Sequence, residues 1–274
     1  MNTATGLLKT GIRLIGGSRA TLISAQLAEE LAPLVNKKTD FGTISFFCPG
    51  KMPEWRAQTL LTKEPETIGW INTFSDKDVL WDIGANVGVY SLYAALRNIS
   101  VLSFEPSPAN YYVLNRNIEV NKMDNRISAL CMAFNDVTRL DSLHMLTTEL
   151  GGAQSSFAEP VNWRGKRFTA SFKQAMIGFS VDDFQQQFNP VFPNHIKIDV
   201  DGIENKIING AKKTLSDKRV KSILVELDSS REIYCEEVVE TIEKAGMKFI
   251  KKEHAPMFDK GEYSAGYNYI FQRV

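Results

Sequence analysis

Short continuous apolar runs alternate with segments of helical spacing from residue 79 to residue 246. The runs are VLWDI (79–83), VLSFE (101–105), ISALCMAF (127–134), HIKIDV (195–200) and VKSILVEL (220–227). Between them, VGVYSLYAALR, SPANYYVLNRNIEVNKM, GIENKIINGAKKTL and REIYCEEVVETIEKAGM repeat apolar residues at three- and four-residue intervals, the period of a half-buried helix. Ser107 followed by Pro108 supplies an N-cap and a first helical residue, and Gly246 ends the last helix. Such alternation predicts an α/β fold, a Rossmann-like, mostly parallel sheet of about seven strands with helices on both faces. Apolar continuity in the runs fits strands covered on both sides. KFIKKE and YNYIFQRV close the chain with no helix between them, so they should pair as an antiparallel hairpin at one edge.

The alternation breaks at about 137–180, a stretch rich in Gly, Ser and Phe that reads as an insertion of short strands and loops over the ligand face. Ahead of residue 76 the texture differs. ATLISAQLAEELAPLV has helical spacing and stops near Pro33, TISFFC is a short strand, and KEPETIGWINTF enters a helix through Glu64-Pro65. Residues 1–75 are therefore read as an N-terminal extension, and 76–274 as the α/β domain carrying the insertion.

With 274 residues, 43% of them hydrophobic, the chain suits one large domain with an elaboration. A formal net charge of +0 without asymmetry argues against a nucleic-acid partner. Cys48, Cys131 and Cys235 are odd in number and widely spaced, so we expect neither a disulfide framework nor a zinc site, and a reducing, cytoplasmic compartment. No run of 18 apolar residues suggests a transmembrane span. Lys9 and Arg13 lie inside the first apolar stretch, unlike a secretory signal. It reads as a packing helix or a loosely ordered start rather than an amphipathic surface helix. The N-terminal helices are also the candidates for a homodimer surface.

Candidate chemistry begins at the turn after VLWDI. Gly84 and Gly88 let backbone and ligand approach closely, Asn86 sits between them, and the next helix points free N–H groups at the same place. Asp82 argues against a pyrophosphate there and suits an ammonium or sulfonium group. The G-x-G-x-x-G of dinucleotide sites is absent, which disfavours a nicotinamide oxidoreductase. Glu105, at the end of the second run, is placed to accept from both hydroxyls of a ribose. Asn135 or Asp136, after the third, either meets an adenine amine or forms an ordinary turn. An acid for a ribose and an acid for a cationic amino acid together indicate S-adenosylmethionine.

A second constellation lies in HIKIDVDGIE. Lys197 and Asp199 share one face of a strand that should be buried, and buried charges are rare unless paired. Asp199 is the first candidate for orienting an acceptor or taking its proton. Lys197 either holds that carboxylate ionised or touches the acceptor, and His195 is the second candidate base or a structural histidine. Asp201 and Glu204 read as a helix-capping box rather than metal ligands. Glu226 either lines the acceptor site or pairs with a neighbour.

Seven segments, in order from about residue 56 to 228, resemble the FkbM-type methyltransferases, a branch of the class I S-adenosylmethionine-dependent enzymes: RAQTLLTKEPETIGWI, DVLWDIGANVGVYSLYAA, VLSFEPSPANYYVLNRNI, GGAQSSF, FSVDDF, IKIDVDGIENKIINGA and ILVEL. The resemblance implies a seven-stranded methyltransferase fold and, usually, O-methylation of a sugar, glycan or polyketide-like hydroxyl. It puts Asp82, Gly84, Asn86 and Gly88 at the methionine end of the cofactor, Glu105 at its ribose and Asp136 near adenine. Lys197 and Asp199 then stand by the transferred methyl. Asp201 departs from the Glu that the family often has. Gly151-Gly152 and Ser155-Ser156 form either a lid or a surface loop, and Arg56 and Glu66 contact either the pocket or solvent. N-methylation and a non-catalytic binding module are the competing readings.

Overall fold

The computed structural model describes residues 3–31 and 33–273. Seven strands form the central sheet: β3 (Val79–Ile83), β4 (Ser100–Phe104), β5 (Ile127–Leu130), β10 (His195–Ile198), β11 (Ser222–Asp228), β12 (Met247–Glu253) and β13 (Gly266–Arg273). Their order is β12-β13-β11-β10-β3-β4-β5. The chain crosses over after β5, so β10 and β4 flank β3 in parallel, and the carboxyl end of β3 opens beside that of β10. Only β13 runs against its neighbours, pairing antiparallel with both β11 and β12, and the closing hairpin forms as the sequence suggested.

Alternation within the strands sorts side chains to two faces. Val79, Trp81 and Ile83 of β3, with Ile196 and Ile198 of β10, build one core beneath α7 (Val181–Phe188), α8 (Glu204–Asn209), α9 (Lys212–Ser216) and α10 (Glu232–Lys244). Leu80, Val101 and Leu224 build the other beneath α4 (Pro65–Ile71), α5 (Val89–Leu96) and α6 (Pro108–Val120). The second face also carries Asp82, Lys197 and Glu226, because each stands at odd spacing from the apolar set of its strand.

Three expectations change. The run 127–134 is not one strand: it breaks after β5, and β6 (Ala133–Phe134) turns away to pair with β9 (Phe172–Phe179). With β7 (Arg139–Met145) and β8 (Ser155–Phe157), they make a separate four-stranded sheet, so the insertion is more regular than short strands and loops. LVNKKT, unassigned in the sequence, is β1 (Leu34–Thr39), half of a hairpin with β2 (Gly42–Phe47). Its alternation of exposed and half-buried positions carries little apolar signal.

The segment read as an extension divides in two. Ile44, Phe46, Leu60, Trp70 and Ile71 are buried in the same core as Leu80 and Leu92, with α3 (Lys51–Gln58) and α4 packed beside it. The helices α1 (Thr3–Ile15) and α2 (Gly17–Glu30) bury no residue at all, against the reading of the first as a packing helix.

Candidate active site

A cavity of about 440 Å³ opens at the carboxyl ends of β3, β4, β10 and β11. One end is lined by Gly84, Asn86, Glu105, Pro106 and Asn110, the other by Trp163, His254, Phe258 and Tyr263, and Asp199 and Glu226 stand in its wall.

At the first end, geometry requires the glycine. Gly84 has φ +85°, and a Cβ there would lie 1.8 Å from the carbonyl oxygen of Asp199. The β3 turn can therefore cross the β10 turn only without a side chain. Asn86 also adopts a left-handed backbone, φ +51°, and its N–H donates to Glu105 Oε2 at 2.8 Å. Its side-chain amide donates to the carbonyl of Gly152 at 2.8 Å, while its Oδ1 is buried without a partner. Glu105 Oε1 accepts from the backbone N–H of Ser107 at 2.8 Å. Burial pushes the Glu105 carboxyl up to about 7, against the pull of those N–H donors.

Gly151 and Gly152 are tied down rather than loose. The N–H of Gly151 donates to Asn110 Oδ1 at 2.8 Å, its carbonyl accepts from Arg56 Nε at 2.8 Å, and Asn110 Nδ2 donates to the Gly152 carbonyl at 3.0 Å. This segment covers the Glu105 end of the cavity, and Arg56 does line the pocket.

Asp82, at the end of β3, is 1% exposed and does not line the cavity. Its Oδ2 accepts from Ser91 Oγ at 2.5 Å, and Ser91 Oγ is 2.7 Å from Ser103 Oγ. Its Oδ1 is buried and has no partner. Gly88, with φ +84°, starts α5 but faces away from the cavity, where a Cβ would lie 2.3 Å from Leu114 Cδ1. Its absent side chain serves helix packing against α6.

The middle of the cavity is a buried charge cluster. Lys197 stands directly across from Asp82 in the β10–β3 register. It is 1% exposed, and its Nζ donates to Asp199 Oδ2 at 2.7 Å. Burial alone would pull the Lys197 ammonium down, but Asp199, Glu64 and Asp82 hold it above its ordinary value. Burial opposes ionisation of Asp199, yet Lys197 and Lys63 hold its carboxyl well below the usual range. Glu226 lies within hydrogen-bonding reach of Asp199, and burial together with that neighbouring charge pushes its carboxyl far up. Burial and the neighbouring charge thus favour the neutral form of Glu226 beside an ionised Asp199.

Sequence reasoning missed the ion pair between Lys63 and Glu64, which closes this cluster from the loop before α4. Glu64 Oε2 also accepts from Thr67 Oγ1 at 3.1 Å. Apart from its place before Pro65, nothing in KEPET distinguishes a buried pair from a solvated one. Glu66 lines the pocket and accepts from Asn268 Nδ2 at 2.7 Å. At the far end Trp163, from the insertion, stacks on Tyr263 at 5.4 Å between centroids. Two acceptor atoms there have no partner, Asp228 Oδ2 and Asn268 Oδ1.

Three predicted residues are elsewhere. His195 opens β10, at the end opposite Asp199. Its Nε2 is 3.0 Å from Asp78 Oδ2 and its Nδ1 2.7 Å from Ser222 Oγ, and its ring stacks on Phe74 at 3.6 Å. Burial pushes the imidazole down to about 4. It is a structural histidine, not a candidate base. Asn135 and Asp136 follow β6 out of the central sheet and do not line the cavity. The Asn135 side chain accepts from the Asp136 N–H at 2.7 Å, and both residues pack over Gly210. Asp201 lines the cavity but does not cap α8. It takes a left-handed backbone, φ +60°, and accepts from the Gln154 N–H at 2.6 Å, fastening the insertion to β10. Burial pushes its carboxyl up to about 6. Glu204 keeps half of the expected box, accepting from the N–H of Gly202 at 2.9 Å.

A parallel sheet with its opening at the carboxyl ends, a glycine crossing and an acid after the second strand define a nucleoside-cofactor enzyme of the Rossmann-like class. The Methyltransferase FkbM domain matches residues 82–249, and the chain belongs to this family. It is an S-adenosylmethionine-dependent methyltransferase. Solved structures of similar fold include a precorrin-6y C5,15-methyltransferase from Geobacter metallireducens, 14% identical, covering 81% of this chain and 89% of that one at a TM-score of 0.43. Another is Pyrococcus horikoshii TYW2 in complex with MeSAdo, 11% identical, covering 88% of this chain and 70% of that one at a TM-score of 0.45. Among curated proteins, none matches. The unpartnered Asn86 Oδ1 and the Gly84 crossing, both in the cavity lining, fit the cofactor's charged amino-acid end. Among the described residues no helix is long and apolar enough to cross a membrane, and no metal-ligating cluster is present.

Proposed function

We propose that this site methylates oxygen, on a hydroxyl of a sugar, glycan or secondary metabolite. One observation carries the reading: beside the Asp199–Glu226 pair, the acceptor end offers Asp228 Oδ2 and Asn268 Oδ1, buried acceptors that lack donors. Leaving such atoms unsatisfied is costly, and the hydroxyl groups of an acceptor supply donors for them, as N–H groups also can. Trp163, held between Tyr263 and Arg164, adds apolar surface to this end of the cavity.

When bound, S-adenosylmethionine supplies a methyl group on a positive sulfur. Glu105 would accept from the ribose hydroxyls and Asn86 would lie at the amino-acid end, with the charge of Asp82 buried behind it. The chain's task is then largely positioning, since a strong electrophile needs only an aligned oxygen. Asp199 orients the acceptor hydroxyl and accepts its proton as the new bond forms. Its low basicity suffices, because an oxygen that is bonding to carbon becomes a strong acid. Lys197 and Lys63 keep Asp199 ionised for that step, beside a neutral Glu226. Gly88, Asn135, Asp136 and His195 have no part in this assignment.

The test is calorimetric binding of S-adenosylhomocysteine to the wild type and Glu105→Ala, followed by transfer of a labelled methyl group to panels of glycans, polyols and amines. Binding lost in the variant and a methyl ether as product are expected. A methylated amine would overturn the oxygen assignment. Binding without transfer to any panel would favour a non-catalytic module.

A further inference from the structure

The helix α1 forms and yet buries nothing. At ~100° per residue, its Ala4, Leu7, Leu8, Gly11, Ile12, Leu14 and Ile15 fall on one half of the helical circumference. Thr3, Thr5, Gly6, Lys9, Thr10 and Arg13 fall on the other. The apolar half is open: Leu7 is 74% exposed, Leu8 51%, Leu14 83% and Ile15 51%. The helix packs against α2, but this does not cover those four side chains. Exposed apolar surface of this kind usually marks an interaction site.

The charges say what kind. Lys9, Arg13 and Arg19 are the only charged residues before Glu29, so the polar half of α1 is purely basic while the whole chain is neutral. Two copies meeting through this face would bring like charges to the same seam. An anionic surface resolves the pattern: leucines enter its apolar layer, and the flexible Lys and Arg stems reach outward to phosphates. Thirteen residues make a rod of about 20 Å, too short to span a bilayer core of about 30 Å, so the helix lies along the surface.

We propose that α1 is an interfacial anchor that docks the enzyme on a bilayer containing anionic lipid. The test is co-sedimentation of the full chain with phosphatidylcholine vesicles, with and without phosphatidylglycerol. We expect partitioning about tenfold or more stronger on the anionic vesicles, weakening as salt rises. Leu7→Asn with Leu14→Asn should abolish it, and Lys9→Glu with Arg13→Glu should remove the preference for anionic lipid. All these positions are exposed, so circular dichroism and S-adenosylhomocysteine binding should stay at wild-type values. Absence of binding, or equal binding to both vesicles, overturns the proposal. So does a dimer in gel filtration that the Leu7/Leu14 variant dissociates, which would assign the face to a second copy.

Discussion

Lys197 is the residue on which the site depends most. The residue is 1% exposed, and its ammonium faces Asp199, Asp82 and Glu64. Lys197→Met keeps the volume and removes the charge, leaving Asp82 without its cation and Asp199 with Lys63 alone. We expect a loss of about 3–5 kcal/mol in urea denaturation at neutral pH, and a smaller loss at low pH. Glu105 makes a second prediction. Its carboxyl is pushed up to about 7 by burial, and a ribose diol donates best to the ionised form. S-adenosylhomocysteine binding must then release a proton below about pH 7. Affinity should rise with pH up to that point, by up to tenfold per unit, and level off above it. Calorimetry in buffers of different ionisation enthalpy measures the proton directly, and Glu105→Gln should flatten the profile. Both residues were legible in the sequence for one reason: a charge inside or ending an apolar strand has few places to go. Lys63 and Glu64 were not legible, because a charge pair before a helix looks the same whether water or Lys197 lies beyond it. His195 was ambiguous for a related reason: the sequence shows a histidine on a buried strand but not which end opens to the cavity.

The turn between β3 and α5 contains two glycines that the sequence treats alike and the fold treats differently. Gly84 lies against the carbonyl of Asp199, and Gly88 against a methyl group of Leu114. Gly88→Ala adds a left-handed strain of about 1–2 kcal/mol and an overpacking cost of about 1–3 kcal/mol. It should lower stability by a few kcal/mol in urea titrations and leave S-adenosylhomocysteine affinity unchanged once the protein is folded. Gly84→Ala must move the β10 turn with its Asp199, so it should weaken S-adenosylhomocysteine binding as well as stability. Equal affinities for the two variants would contradict this division. At this scale the strand–helix alternation was readable because each β-run is apolar on both faces. The departure of β6 was not, since ISALCMAF is continuous in hydropathy and the break at Cys131-Met132 depends on a partner, β9, about 40 residues later in the chain. That departure is also why Asn135 and Asp136 miss the cavity.

Across the whole molecule, the sequence places a boundary near residue 75, where helix-and-strand fragments give way to regular alternation. The packing crosses it without interruption. Ile44, Phe46, Leu60, Trp70 and Ile71 share a core with the helices that cover the central sheet, and Trp70 Nε1 donates to Ser222 Oγ of β11 at 2.8 Å. Composition could not show this, since a short strand and two short helices look alike as an appendage or as part of a core. We propose that the folding unit spans residues 33–273, with α1 and α2 outside it. Fully burying such side chains contributes about 1.5–3 kcal/mol each, so these five sum to roughly 10 kcal/mol, comparable to the whole net stability of a domain. A chain starting at residue 33 should melt within about 2 °C of the full chain, since α1 and α2 bury no residue. It should keep S-adenosylhomocysteine binding and lose the vesicle binding proposed for α1. A chain starting at residue 76 lacks that packing and the Lys63–Glu64 pair, and should fail to melt cooperatively in calorimetry. Cooperative melting of the shorter chain near the full-length temperature would restore the boundary at residue 75. It would also mean that the charge cluster around Lys197 holds together without its N-terminal cover.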